Sequence, residues 1–286
     1  MNKTILILLA GTALIFSAAR PDQKEFSEQI KKEFTLTGNA SGTTLYIYNL
    51  SGSINIEGTS GNKVTVDIEK TVSAESAADL EKGKKEFRFE AGQDNDSIIV
   101  YMAEPFNMRP HSNNNYKHYD PPYEFNANFT VKVPSGINLE VSTINNGAIE
   151  INNVAGILQV NNINEGITIT NAGSKTDVHT INGEVNVTYA ANPSAESSYE
   201  TINGDIRISY RPDLSADIKF KSMNGDLFTD FPDAELLPVS ATKVREKKGG
   251  SMIYKLNKTT TVRFGKGGKT FSFETLNGNV YIKKQS

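Results

Sequence analysis

Glu184, Asp205 and Asp226 each follow an Asn-Gly pair, as Asn182-Gly183-Glu184, Asn203-Gly204-Asp205 and Asn224-Gly225-Asp226. If the three pairs lie above one another, the carboxylates form a column with neighbours roughly 5 Å apart. Like charges that close raise one another's pKa or recruit a cation, and Ca²⁺ accepts such oxygen ligands. The separation also matches the carboxylate pair of a retaining glycosidase. The plainer reading is chemical economy, since Asn-Gly-Asp makes a good solvated turn whatever it binds. The basic residue on the same stack, Arg207, comes two positions after Asp205.

Two further stretches carry binding chemistry. From Glu104 to Glu124 the chain holds Pro105, Pro110, Pro121 and Pro122 beside Arg109, Tyr116, Tyr119 and Tyr123. Aromatic rings next to amides and a guanidinium suit stacking on sugar rings; the alternative is an insertion whose tyrosines pack on the protein surface. From Pro232 to Lys269 there are nine basic and three acidic residues, a net charge of about +6, with Lys247 and Lys248 just before Gly249-Gly250. Such a patch suits an anionic polysaccharide or lipid headgroups, or is simply a solvated hairpin. The three histidines, His111, His118 and His179, have no metal-site spacing, and no P-loop, dinucleotide fingerprint or Gly-x-Ser-x-Gly elbow occurs. No cofactor and no catalytic residue is expected.

What would position the column is a repeat. Successive glycines at 147, 166, 183, 204 and 225 are 19, 17, 21 and 21 residues apart. On both sides of each Asn-Gly every second residue is apolar, as in Ile218, Phe220 or Ile206, Ile208, so each half-unit is a strand with one buried face. Asn-Gly between such strands often makes a two-residue hairpin. Here each period has one constant and one variable turn, which suits a coil of two strands stacked on the next coil in parallel. The expected fold is all-β, a right-handed parallel β-solenoid. In that stack Asn145, Asn182, Asn203, Asn224 and Asn277 form a ladder of amides, with Asn and Gly supplying the left-handed backbone of the corner. Thr143, Thr180, Thr201, Ser222 and Thr275 form a second ladder.

The 286 residues carry a net charge of −3, which offers no case for nucleic acid, and lack Cys and Trp, which excludes disulfides and thiol-ligated metals. Met1 to Ala19 reads as a signal peptide: Lys3, an apolar run from Thr4 to Phe16, then Ser17-Ala18-Ala19. Residues 20–286 read as one solenoid domain. Within it, 26–128 are irregular coils with a helix at 73–87, capped by Ser73 or Ser76 over an open sheet end, and the loop at 104–124. Regular coils fill 129–229, a basic insertion 230–270, and a closing coil 271–286 whose Lys283-Lys284 blunts the last edge.

The Thr-Ile-Asn-Gly units, Val133-Pro134-Ser135-Gly136 and Thr275-Leu276-Asn277-Gly278-Asn279-Val280-Tyr281-Ile282 resemble the bacterial putative-adhesin family, whose relatives include the so-called head GIN domains. Asn164-Glu165-Gly166 and Ala148 depart from its pattern. The resemblance implies an exported, β-helical, non-catalytic protein of the cell envelope, in the periplasm, on the surface or secreted. Its partner would be a polysaccharide or another surface component, with no membrane span after signal removal. A carbohydrate-active enzyme on the same scaffold, or an envelope-stress scaffold with no ligand of its own, are the alternatives.

Overall fold

The computed structural model describes residues 10–11, 24–110, 119–238, 240–248 and 251–286. The expected signal peptide lies almost wholly outside the described residues, as do His111, Tyr116 and His118. The described residues are all-β but for one helix and one 3-10 turn. It divides into two compact units, one ending at Glu165 and the other starting at Gly166.

The first unit contains β1 (Ala10–Gly11), β2 (Lys24–Thr35), β3 (Thr44–Tyr48), β4 (Ile54–Thr59), β5 (Lys63–Ala74), α1 (Ala77–Glu86), β6 (Arg88–Asp94), β7 (Ser97–Glu104), β8 (Glu124–Pro134), β9 (Asn138–Ser142), β10 (Ile149–Asn152) and β11 (Leu158–Asn161). One sheet runs β1-β2-β5-β8-β4-β10 and another β11-β9-β3-β7-β6. The long strands β2, β5 and β8 pair antiparallel, whereas β4 lies parallel to β8 and β10. In β5 the alternation of Val64, Val66, Ile68 and Val72 puts every second residue in the core.

Helix α1 starts where Ser76 caps it, its Oγ accepting from the Asp79 amide at 3.0 Å. It packs on β2 and β5, the long strands near one end of that sheet's order. Lys70, 3% exposed, reaches it from β5: its Nζ donates to the Lys84 carbonyl (3.2 Å) in the last turn and to Glu28 Oε2 (3.3 Å). A cation there meets the helix's orphan carbonyls and the negative end of its dipole.

The second unit contains β12 (Ile167–Ala172), β13 (Thr176–His179), β14 (Val185–Tyr189), β15 (Ser197–Asn203), β16 (Ile206–Tyr210), β17 (Ala216–Asn224), β18 (Leu227–Thr229), β19 (Glu235–Leu236), β20 (Ser240–Lys248), β21 (Ser251–Phe264), β22 (Lys269–Asn277) and β23 (Val280–Lys284). Its sheets run β12-β14-β16-β23-β18 and β19-β21-β17-β22-β15-β13. From β13 to β18 consecutive strands alternate between the two sheets, each parallel to the equivalent strand of a neighbouring coil. Asn203-Gly204 therefore joins strands of different sheets and closes no hairpin.

The strand order corrects the expected one. The C-terminal pair β22–β23 does not close the stack; β22 lies between β15 and β17, and β23 between β16 and β18. The route there passes through β21, antiparallel to the far side of β17, and a turn in which Gly265, Gly267 and Gly268 all have positive φ. Lys283 and Lys284 thus sit on an inner strand, and the edge of that sheet is β18.

The corner itself also differs from expectation. None of Asn182, Asn203, Asn224, Asn277 or the glycines that follow them has positive φ. Glycine is needed there because successive corners touch: a Cβ on Gly204 would lie 2.1 Å from the Gly183 carbonyl oxygen, and one on Gly278 1.9 Å from that of Gly204.

Inside, Val185, Val187, Ile206, Ile208, Val280 and Ile282 stack in register, all fully buried. Beyond them lies an aromatic block. The rings of Tyr189 and Tyr210 stack at 5.2 Å, Tyr199 stacks on Phe273, and the Tyr189 and Tyr199 hydroxyls meet at 2.5 Å.

Candidate binding surface

The amide ladder forms, in the order the strands impose. Asn224 Nδ2 donates to Asn277 Oδ1, Asn277 Nδ2 to Asn203 Oδ1, and Asn203 Nδ2 to Asn182 Oδ1, each at 2.8 Å. In the first unit Asn145 Oδ1 accepts from Asn164 Nδ2 at 2.6 Å, so the sequence's apparent exception, Asn164-Glu165-Gly166, supplies a rung. The threonine file forms by register in the same imposed order, Ser222 beside Thr275 and Thr275 beside Thr201. Thr201 donates to the Gly183 carbonyl (3.0 Å), Thr275 to that of Gly204 (3.3 Å), and Thr143 to that of Gly52 (3.0 Å), so each hydroxyl satisfies a carbonyl of the adjacent coil.

The acidic column is broken. Because β23 lies between β16 and β18, Asn279 stands between Asp205 and Asp226. Asp205 Oδ1 accepts the Asn279 amide at 2.8 Å, and Asn279 Oδ1 accepts the Asp226 amide at 3.0 Å. The two carboxylates that remain neighbours share a cation: Arg207 Nη1 is 2.8 Å from Glu184 Oε2 and Nη2 is 2.5 Å from Asp205 Oδ2. Their mutual repulsion, which was the argument for a calcium ion, is met by a guanidinium in the chain. Among the described residues no group of three or more His, Asp or Glu side chains is placed to hold a metal ion.

Around this cluster lies a row that crosses four strands in register: Asn186 on β14, Arg207 on β16, Tyr281 on β23 and Phe228 on β18. The Arg207 guanidinium is 5.0 Å from the Tyr281 ring centre. The Tyr281 and Phe228 rings stack at 5.2 Å and 16°, and Lys283 Nζ lies 5.9 Å from the Tyr281 ring. Phe228 is 45% exposed on the edge strand, a large apolar side chain left in water. Charged, amide and aromatic groups thus stand side by side at strand spacing on one outer surface.

The other predicted binding residues are spent elsewhere. Tyr119 and Tyr123 both donate to Glu86 Oε2, at 2.6 and 2.9 Å, and Lys82 sits 5.4 Å from the Tyr119 ring centre, so this end of the loop is fastened to α1. Burial, reinforced by the bond to Glu86, pushes the Tyr123 hydroxyl well above its ordinary pKa. Arg109 lies 6.0 Å from the Tyr101 ring centre. Lys247 and Lys248 end β20, opposite Met252 and Ser251 of β21. The first unit also has a cleft of about 650 Å³ lined by Ser51, Glu124, Phe125, Asn126, Asn145 and Asn146 among others, in which Asn146 Nδ2 donates to Ser51 Oγ (3.0 Å).

No family model matches the chain, and no curated protein matches it. The solved structures similar to it include the following three. One is a putative cell adhesion protein from Clostridium sporogenes, 12% identical over 90% of this chain and 100% of that one, with a TM-score of 0.44. Another is a putative adhesin from Bacteroides fragilis, 10% identical over 90% and 97%, with a TM-score of 0.35. The third is a putative lipid binding protein from Parabacteroides distasonis, 9% identical over 90% and 97%, with a TM-score of 0.25. Likeness at this level assigns no family.

Sequence reading placed Arg207 beside the acids but missed Tyr281, Phe228 and Asn279 as its neighbours. Each occupies the position that Arg207 or Asp205 holds in its own repeat, so the motif contained the signal. What hid it was the 53-residue gap between Gly225 and Gly278, which conceals that the two coils are adjacent.

Proposed function

We propose that this chain is an exported, non-catalytic binding protein of the bacterial cell envelope, built as a right-handed β-solenoid whose outer surface engages a polysaccharide. The parallel, in-register pairing of successive coils supports the solenoid, and the leader-like Met1–Ala19 supports export. Among the described residues no helix is long and apolar enough to cross a membrane.

The observation that carries the binding role is the row of Arg207, Tyr281 and Phe228 flanked by Glu184, Asp205, Asn279 and Asp226. A sugar offers C–H faces to aromatic rings and hydroxyls to carboxylates, amides and a guanidinium. A polymer of sugars repeats, as the rows do, and gains avidity from several weak contacts. Asp205 engages both carboxylate oxygens within the cluster and Glu184 one, an arrangement suited to holding a partner in place. Screening the chain on a glycan array, then titrating the best glycan against Tyr281→Ala and Phe228→Ala, tests this. Each ring should contribute about tenfold in affinity. An array with no bound glycan, or binding indifferent to both substitutions, removes the reading.

A further inference from the structure

Five Asn-Gly pairs occur in the chain: Asn146-Gly147, Asn182-Gly183, Asn203-Gly204, Asn224-Gly225 and Asn277-Gly278. Such a pair can modify itself, because glycine has no side chain to shield its nitrogen. That nitrogen attacks the side-chain carbonyl carbon of the asparagine. A C–N bond closes a five-membered succinimide, and the side-chain nitrogen leaves as ammonia. Water then opens the ring at either carbonyl, giving aspartate or isoaspartate and one more negative charge. All five asparagines are exposed, so access to water does not choose among them.

The corners differ in how the reacting atoms are held. In three of them the glycine N–H donates to the asparagine carbonyl of the adjacent coil: Gly183 to Asn203 (3.0 Å), Gly204 to Asn277 (3.0 Å) and Gly278 to Asn224 (3.2 Å). In the same three the side-chain oxygen of Asn182, Asn203 or Asn277 accepts from the next rung at 2.8 Å. Ring closure there has to break both bonds. Gly225 is different, because it leads into the edge strand β18 and no further coil follows. Among the described residues its N–H has no partner, and Asn224 donates to the ladder without accepting from it. At Asn146-Gly147 the ladder place is taken by Asn145, and Asn146 stands beside it in left-handed backbone, φ 58°. The Gly147 N–H likewise has no partner among the described residues, and the Asn146 side chain is held only through Nδ2, which donates to Ser51 Oγ (3.0 Å).

We propose that Asn224-Gly225 and Asn146-Gly147 are sites of succinimide-mediated deamidation in the folded protein, and that coil stacking protects the other three pairs. At Asn224 the product sets a carboxylate against Asn277 Oδ1 where a donor stood, so the last rung of the ladder is lost. The proposal is independent of what the outer surface binds. The full chain is incubated folded in heavy-oxygen water at mildly alkaline pH, then digested. Mass spectrometry reads the heavy oxygen that enters each converted peptide, and chromatography separates isoaspartate from aspartate. A parallel sample in urea supplies the intrinsic rate of each pair, and there all five should convert at comparable rates. In the folded protein, with each rate divided by its value in urea, Asn224 and Asn146 should convert at least about tenfold faster than Asn182, Asn203 and Asn277, the factor set by one hydrogen bond that the inner corners must break first. An open corner as slow as the inner three overturns the proposal, and so does an inner corner as fast as the open two. Conversion of Asn277 in place of Asn224 also overturns it, and would put Gly278 at the open end of a stack wound in sequence order.

Discussion

Gly204 owes its place to its neighbour. The backbone of the next corner passes so close that a methyl group would stand 2.1 Å from the Gly183 carbonyl oxygen, and that oxygen belongs to main chain that cannot swing aside like a side chain. Gly204→Ala should therefore cost about 3 kcal/mol or more, at the upper end of overpacking, although alanine would relieve glycine's entropic cost. At Gly38 an added methyl group would meet nothing within 4 Å, and φ is not positive, so Gly38→Ala should stay within about 0.5 kcal/mol of the parent. Urea unfolding of both variants, compared at equal m, measures the difference; a Gly204→Ala protein as stable as the Gly38→Ala one would mean the corners are not in contact. The sequence made these glycines and the asparagines before them easy to find, because both recur at a fixed offset. It misled about why they recur: a left-handed corner and a close approach select the same residue, and only the neighbouring coil distinguishes them. The acids show the same limit, since Glu184 and Asp205 are neighbours in the structure while Asp226 is separated from them by Asn279.

At the level of elements, local signals were dependable where the interaction is local. Ser76, one of two caps expected for the helix, is the cap, and Ser76→Ala should lose about 1 kcal/mol. The loop tyrosines could not be assigned in this way, because their fastening to Glu86 joins residues 33 and 37 positions apart. The aromatic block at the ends of β14, β15 and β16 makes a further prediction. Burial holds the hydroxyls of Tyr189, Tyr199 and Tyr210 above the ordinary value of 10.0. Neutral tyrosine is the form the fold accepts, so below pH 10 the folded and unfolded chains bind the same protons at these sites and stability does not vary through them. Above pH 10 the unfolded chain releases protons that the folded chain keeps, and stability falls as pH rises. Each group contributes up to about 1.4 kcal/mol per pH unit while the fold keeps it protonated, so three give at most about 4 kcal/mol per pH unit. Tyr48, Tyr101 and Tyr123, raised by burial, act in the same sense, whereas Lys70 acts in the opposite one, since burial lowers its pKa below 10.5 and stability through it rises with pH until that value. Melting temperatures recorded from pH 8 to 11 should be level and then drop steeply beyond 10. The drop should lessen in Tyr189→Phe; an unchanged slope there would place the effect elsewhere.

For the molecule as a whole, the route of the chain matters more than any single strand. Repeats read in sequence order place Asn224 next to Asn203, with Asn277 at the end. The structure inserts Asn277 between them, because the long excursion through β19, β20 and β21 returns the chain to the slot between β15 and β17. No local pattern encodes that choice; it depends on where β21 pairs, and the pairing partner of an inserted strand is not written in its own residues. The absence of cysteine allows a direct test. Parallel neighbours in register stand roughly 4.8 Å apart, within the span of a disulfide, whereas residues two strands apart stand roughly 9.6 Å apart and beyond it. The pair Asn203→Cys with Asn277→Cys should therefore oxidise to an intramolecular disulfide in the folded protein, as should Asn224→Cys with Asn277→Cys. The pair Asn203→Cys with Asn224→Cys should remain as free thiols, countable with a thiol reagent before and after denaturation. If that last pair closes while the first stays open, the coils stack in sequence order. Tyr281 would then no longer separate Arg207 from Phe228, and the binding row would have to be rebuilt without its central ring.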